Sequence, residues 1–363
     1  MASQLEIWFV GGTGKASADA VALRWGNDLE STEPDQTVAV IDSGRSTADR
    51  EELVRIVRER FTSETIDHLV ATHSDNDHIG QMSKLKDDFD IGQVWAHNPW
   101  KHLHVYPDYP RKVEASAQDQ RKLLEAYDVT EPLPGLGSAD GVMRFLGPSV
   151  TFYEELLPKI FTLDQLLDND PSTIAASAAL TREPKVPLDA GFAIPGIEAD
   201  WETDHLGPGN NSSASNKASV ITSIQIGNSY VLLSGDSDAQ SFDRATDEIT
   251  ATGITPSTLR IVQIPHHGSW RNMNKNIADL LCGQPPGETK AVEQLQSAQF
   301  RAVAMTGTND DDHPSERVLN AFIRRGRHAV ATKGQAVGIT LGIDSGKGTD
   351  NTDGVTLIPF PRN

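Results

Sequence analysis

The chain has 363 residues, 37% of them hydrophobic, and a formal net charge of −19 at pH 7. That length supports one large or two ordinary domains with a buried core. The acid excess argues against a protein that wraps extended nucleic acid, because such proteins present basic faces.

Leu5–Val10, Ala20–Trp25 and Thr37–Ile41 read as strands, with a polar hairpin connection over 27–36. Between the first two, Gly11-Gly12-Thr13-Gly14-Lys15 invites a phosphate-loop reading. The glycine spacing and Ala16 after the lysine exclude it. Asp49–Phe61 has helical periodicity through Leu53, Ile56, Val57 and Phe61. Ile66–Ala71 is an apolar strand, 78–89 a helix, and Val94–Ala96 a further strand. Residues 100–112 interleave aromatic and basic side chains, a pattern that stacks bases or simply fills a satellite core. In the second half Ala218–Ile226 and Tyr230–Leu233 read as strands, followed by a helix from Asp238. Then come strand Arg260–Ile264, helix 316–326, and strands near Ala329–Ala331 and Val337–Leu341. The polar tail from Gly346 to Gly354 reads as loose, with Val355–Pro359 able to dock. Cys282 is the single cysteine, so it forms no intrachain disulfide and reads as a small buried hydrophobe.

Three strand ends carry chemistry. His73-Ser74-Asp75-Asn76-Asp77-His78 places four potential metal ligands in six residues, directly after an apolar run. Two carboxylates and two imidazoles crowded on one loop are costly without a counter-charge, and divalent cations supply one. The competing reading is an exposed acidic loop with Asp77 as a helix N-cap. Two further clusters outweigh it. Leu232-Leu233-Ser234-Gly235-Asp236 and Ile264-Pro265-His266-His267-Gly268-Ser269 end two more apolar runs. Open α/β sheets gather ligands beyond the carboxyl ends of their strands.

This order of motifs resembles the metallo-β-lactamase superfamily. Asp75 at the second ligand position, with Ile41-Asp42-Ser43-Gly44, Leu-Leu-Ser-Gly-Asp and Pro-His-His-Gly-Ser, is similar to the free-standing ComEC-like branch of competence DNA-uptake hydrolases. The opening Trp8-Phe9-Val10-Gly11 and Ala18-Asp19-Ala20-Val21, and Asn309 through His313-Pro314-Ser315, fit the same pattern. The resemblance implies an α/β (α+β) fold, a four-layer αββα sandwich. It predicts one hydrolase domain over 1–345 with an insertion at about 99–210, and a polar tail over 346–363.

The resemblance also implies a ligand set. His73 and Asp75 bind the first of two divalent metal ions, Asp77 and His78 the second, and Asp236 bridges both. His266 completes the second ion, with His267 as the alternative for that role or for substrate contact. The third histidine of the first ion is His205 or, alternatively, His97; Asn210, Asn211 or Asn216 can serve if no histidine does. Asp75 adds charge and a hard oxygen donor, which moves preference from Zn2+ toward Mn2+, with Zn2+ still first. A water shared by two cations deprotonates near neutral pH and attacks phosphorus or a carbonyl carbon. Asp77, Asp236 and His267 are the catalytic candidates. Ser269, Asn216 and His313 are the substrate contacts, although His313 equally reads as part of a cap before the helix at Ser315. The expected activity is that of a phosphodiesterase or nuclease. The alternatives are a thioester, lactone or lactam hydrolase, or an effector module activated by a partner. The expected partners are a phosphodiester or small-molecule substrate, a short nucleic acid, and a protein partner or second copy. No membrane is expected. No apolar run is span-length, and Met1–Glu6 has neither a basic region nor a cleavable apolar segment, so a cytoplasmic location is expected.

Overall fold

The computed structural model describes residues 2–14, 16–106, 118–161, 200–296, 300–343 and 355–358. Its strands, in chain order, are β1 (Gln4–Val10), β2 (Ala20–Gly26), β3 (Gln36–Ile41), β4 (Thr65–Val70), β5 (Asp90–Trp95), β6 (Val129–Thr130) and β7 (Met143–Gly147). The second half adds β8 (Ile221–Ile226), β9 (Ser229–Leu233), β10 (Leu259–Gln263), β11 (Arg301–Ala304), β12 (His328–Ala331), β13 (Ala336–Leu341) and β14 (Val355–Ile358). They form an eight-stranded sheet in the order β14-β13-β1-β2-β3-β4-β5-β6 and a six-stranded sheet in the order β12-β11-β10-β9-β8-β7.

Alternation along the strands explains the layers. Ile7 and Phe9 of β1 enter one core with Val231, Leu233, Ile261 and Val303 of the other sheet. Trp8 and Val10, one residue out of phase, enter a different core with Leu53, Ile56, Val57 and Phe61. On the far side of the second sheet, Leu232, Val262 and Ala302 pack on Phe242, Ile277 and Phe322 of the covering helices. The order helix, sheet, sheet, helix is therefore an αββα sandwich. β1, β2, β9 and β10 are buried on both faces, which is why those strands read as near-continuous apolar runs.

Both sheets are mixed, and each contributes parallel strands to the same end. β3, β4 and β5 run parallel in the first sheet, and β9, β10, β11 and β12 in the second. β13 pairs antiparallel with β1, so the beginning and end of the fold share one sheet.

One expectation differs from the structure. The helix expected over 78–89 is a single turn, Asn76–Ile79, followed by a 3-10 segment, Met82–Asp87. The break falls at Gly80, whose backbone lies so close to Asn76 and Arg45 that no Cβ fits. The stretch expected as an insertion, 99–210, is described in part. β6 and β7 from within it extend the two sheets, and helix Val150–Ile160 buries Phe152, Tyr153, Leu156 and Leu157. The glycine-rich loop at 11–14 is a structural corner: Gly11 lies against Thr306 and Thr332, and Thr13 donates twice to the Asp49 carboxylate. Lys15, residues 107–112 of the aromatic-basic stretch, residues 162–199 and Gly346–Gly354 lie outside the described residues. β14 pairs antiparallel with β13, where docking of the tail was expected.

Candidate metal centre

The loops after β3, β4, β9 and β10 meet at the carboxyl ends of the parallel strands. Three overlapping groups of donors lie there, each with its atoms within 4.8 Å: His73/His78/Asp236, Asp77/His78/His267 and Asp236/His266/His267. Asp236 sits at the centre. Its Oδ1 is 3.4 Å from His78 Nε2. Its Oδ2 is 3.6 Å from His266 Nε2 and 3.9 Å from His73 Nε2. His267 Nε2 is 3.7 Å from Asp77 Oδ2.

Local backbone form makes this convergence possible. Gly235 takes φ +50, and a Cβ there would press on Thr72 and Ser219. The chain therefore turns tightly and delivers Asp236 inward. His266 and His267 hold φ +47 and +57, and Asp42 holds φ +60. Left-handed backbone is costly for residues with a Cβ and clusters at functional sites. It sends the two adjacent rings to different sides, with centroids 5.4 Å apart.

Every histidine of the cluster is anchored by the ring nitrogen that faces away from the centre. His78 Nδ1 is 2.7 Å from Asp42 Oδ2. His73 Nδ1 is 3.1 Å from both Thr72 Oγ1 and Ser219 Oγ. His266 Nδ1 is 2.9 Å from Asn272 Oδ1, and Asn272 donates on to the Asp236 carbonyl. His267 Nδ1 is 2.8 Å from the Met305 carbonyl and 3.0 Å from Asp19 Oδ1. Such partners fix tautomer and orientation, leaving Nε2 to accept a cation. His73 Nε2, His78 Nε2 and Asp236 Oδ1 are buried and have no hydrogen-bond partner among the described residues. Unsatisfied buried atoms are expensive. Imidazole nitrogens and carboxylate oxygens facing one another are the donor set of a divalent metal site, so these residues fit such ions.

The electrostatics agree. Burial opposes the charged form of Asp236, yet His266 and His78 hold its carboxyl well below the usual range. Burial likewise opposes ionisation of Asp77, but His267 and His78 hold it low. Burial lowers the basicity of His78 and His267, but carboxylates overcome it: Asp236 and Asp42 for His78, Asp19 and Asp77 for His267. Both imidazoles end well above the ordinary value. Protons and metal ions compete for the same atoms in such a cluster.

Of the remaining sequence candidates, Asp75 lies close: its Oδ2 is 3.6 Å from His73 Nε2, and its Oδ1 accepts from Ser215 Oγ at 2.6 Å. His266 was expected beside Asp77 and His78; the structure brings His267 there, and His266 stands on the Oδ2 side of Asp236 with His73. Asn216 is buried with Nδ2 3.2 Å from His266 Nδ1. His313 stands at the rim, 5.9 Å between ring centroids from both His266 and His267, and is held by Asp310. The backbone N–H groups of Gly268 and Ser269 are used inside their own turn, on the Pro265 and His266 carbonyls. Ser269 thus has only its hydroxyl to offer, and that is buried.

His205 is not brought to the cluster. It is exposed and paired with Asp200. Its neighbour Asp204 turns inward to Arg324 and Arg325, which sends the next side chain out. His97 is buried and stacks on Tyr153, with centroids 4.1 Å apart. Its Nδ1 faces Glu131 at 3.9 Å. Burial pushes the Glu131 carboxyl up, but the imidazoles of His97 and His102 hold it down to about 2. His97 and His73 line a small, mainly apolar cavity with Tyr153, Ile160, Phe161 and Ala218. It leaves about 20 Å³ for water centres, room for one molecule.

Sequence reasoning missed the anchoring roles of Asp42, Asp19, Ser219 and Asn272. Asp42 and Asp19 each lie in a motif beside a strand, and for Asp42 an acid before a glycine turn was the available signal. Ser219 and Asn272 carry no signal in one sequence. Arg45, 3.4 Å from Asp77 Oδ2 and half-exposed, was also missed.

Residues 32–158 match the model of the metallo-β-lactamase superfamily. Among solved structures it is similar to the metallo-β-lactamase fold protein YhfI from Bacillus subtilis, at 10% identity over 92% of this chain and 98% of that one, with TM-score 0.38. It is also similar to a variant of the CmlA β-hydroxylase, at 15% identity over 93% of this chain and 53% of that one, TM-score 0.37. A third is the metallo-β-lactamase SMB-1 bound to mercaptoacetic acid, at 8% identity over 88% and 92%, TM-score 0.31. None of these likenesses bears on activity. No curated protein matches the chain. No helix among the described residues is long and apolar enough to cross a membrane.

Proposed function

We propose that the chain is a dinuclear metal-dependent hydrolase that cleaves phosphodiesters, in a small substrate or a short oligonucleotide. The observation that carries the metal reading is the set of buried, unpartnered atoms His73 Nε2, His78 Nε2 and Asp236 Oδ1, each on a side chain whose other polar atom or backbone is anchored. His73, Asp75 and His266 would hold one ion, and Asp77, His78 and His267 the other, with Asp236 between them. Zinc, with manganese as the alternative, would supply Lewis acidity and an activated water there.

The chain's own groups do the rest. Asp42 and Asp19 hold the His78 and His267 rings in place. Asp77 orients the attacking water. Arg45 at the rim offers a cation to a non-bridging phosphate oxygen, and His313 gives a proton to the leaving group. Phosphorus is preferred on the ComEC-like motif set, an argument by analogy, and on Arg45. The chain's net charge of −19 favours a small or short substrate over long DNA. A second reading, hydrolysis of a thioester, lactone or lactam, draws on the same donor set, since water activated by two cations attacks a carbonyl carbon as well as phosphorus.

The test is hydrolysis of bis(p-nitrophenyl) phosphate and single-stranded DNA by metal-stripped protein resupplied with zinc, manganese or magnesium. Asp77→Ala and His267→Ala run alongside. Activity on either substrate that both variants abolish supports the proposal. Full metal occupancy with no phosphodiester turnover, and turnover of a thioester or lactone instead, replaces it with the second reading.

A further inference from the structure

The opposite end of the second sheet carries positive charge. β10, β11 and β12 are parallel neighbours, so their first residues lie side by side. Arg301 is in register with His328 and with Ile261, the residue after Arg260. Arg260, Arg327 and His328, with Ser257, Gln294 and Phe300, line a pocket of about 230 Å³. Among the described residues no carboxylate pairs with Arg260, Arg301 or Arg327, in a chain with 51 acids and 32 Lys and Arg. Their N–H groups donate to main-chain carbonyls instead: Arg260 to Ser257 at 2.6 Å, Arg327 to Pro256 at 2.8 Å and Arg301 to Phe300 at 2.8 Å. The Nε atoms of Arg260 and Arg327 are buried with no acceptor among the described residues.

Like charges gathered without a counter-ion repel one another, and burial adds to the cost. Burial and the charge of Arg260 both pull the Arg327 guanidinium below its ordinary basicity. Burial does the same to Arg301. His328 is lowered by burial and, after the opposing Leu295 carbonyl, by Arg301. Arg327 lies over the Phe300 ring at 4.8 Å, which fixes the plane of its guanidinium. A fixed, planar, unpaired guanidinium beside a second one is suited to bidentate recognition of an oxyanion. A monocarboxylate would balance only one of these charges, whereas a phosphate dianion balances two. The volume fits orthophosphate or a compact phosphate monoester and is smaller than ordinary drug-sized pockets.

We propose that this pocket, at the amino ends of β10–β12, is a second binding site that takes the phosphate group of a small molecule, remote from the metal centre.

Isothermal titration of inorganic phosphate, and separately of glycerol phosphate, into the full chain tests this, with equal ionic strength of chloride as control. The expected result is saturable one-site binding that survives in Asp236→Ala, so that it is not the metal centre. It weakens at least tenfold in Arg260→Gln. Ser257→Glu tests the same idea without removing an arginine: a carboxylate placed at the exposed pocket edge should abolish phosphate binding and raise Tm. Preference for glycerol phosphate would assign the site to a monoester, and preference for inorganic phosphate to the free ion. Binding lost in Asp236→Ala but intact in Arg260→Gln and Ser257→Glu would overturn the proposal. So would the absence of saturable binding to the wild-type chain, or capture of single-stranded DNA with no response to either phosphate.

Discussion

One strand joins two opposite chemistries. β10 begins at Arg260's end of the second sheet, where unpaired cations gather, and runs out into His266 and His267, where carboxylates and imidazoles gather. Arg260 and His266 are six positions apart, roughly 20 Å of extended chain, beyond the reach of screened electrostatics at physiological salt. The acidic end is heavily built: each imidazole has a dedicated anchor, and three residues there accept left-handed backbone. The basic end has little such support, with main-chain carbonyls and one aromatic ring holding the arginines. A site that must set metal geometry needs second partners for its ligands. A site that only neutralises an anion does not.

The contrast can be broken, beginning with the largest expected effect. Asp236→Ala removes the only carboxylate, among the described residues, that faces both sides of the cluster. Hydrolysis should fall by about 10²–10³-fold or more, and bound metal should drop when measured by elemental analysis. If phosphate affinity at the Arg260 pocket drops with it, the two ends are not independent. Next, Asp42→Asn keeps the shape but removes the charge behind His78. Metal affinity or activity should weaken about 10–100-fold, read by competition with a chelator. An unchanged affinity would mean the anchors are ornament and the contrast in construction has no function.

Smaller effects sharpen the picture. Asp204 joins the loop at 200–206 to Arg324 and Arg325 of the helix covering the second sheet. Burial raises its carboxyl, but Arg325 and Arg324 overcome that and leave it below the ordinary carboxylate range. A depressed carboxyl contributes stability above its unfolded pKa and loses it as pH falls through the folded one. Asp204→Asn should therefore cost several degrees of Tm at pH 7, with the gap closing below about pH 4. A gap that widens in acid refutes the pairing. Last, Arg45→Ala should raise KM for a phosphodiester several-fold while changing kcat little; a pure kcat loss would place Arg45 in the chemistry itself.

Much of this was legible from residues alone, for identifiable reasons. Strands buried on both faces must be largely apolar, so β1, β2, β9 and β10 stand out. Candidate ligands at strand ends interrupt such runs, so His73–His78, Asp236 and His266–His267 stand out with them. β7 was not legible because five residues, Met143–Gly147, carry too little pattern. Helix Val150–Ile160 was hidden by its internal Pro158. The division of labour between His266 and His267 was not legible either. Sequence spacing gives two adjacent imidazoles, and only the positive φ at both decides which ring faces Asp77. His205 misled for the converse reason, since its neighbour Asp204 is the residue the fold turns inward.

The left-handed backbone at His266 has an evolutionary consequence. Asn or Gly would hold φ +47 at less cost than histidine, so the fold pays a standing tax at that position. A laboratory lineage selected for heat resistance alone should drift to Asn or Gly at 266 and emerge as a sturdier, inert sandwich. Persistence of histidine there in a population of such survivors would record continued demand for catalysis.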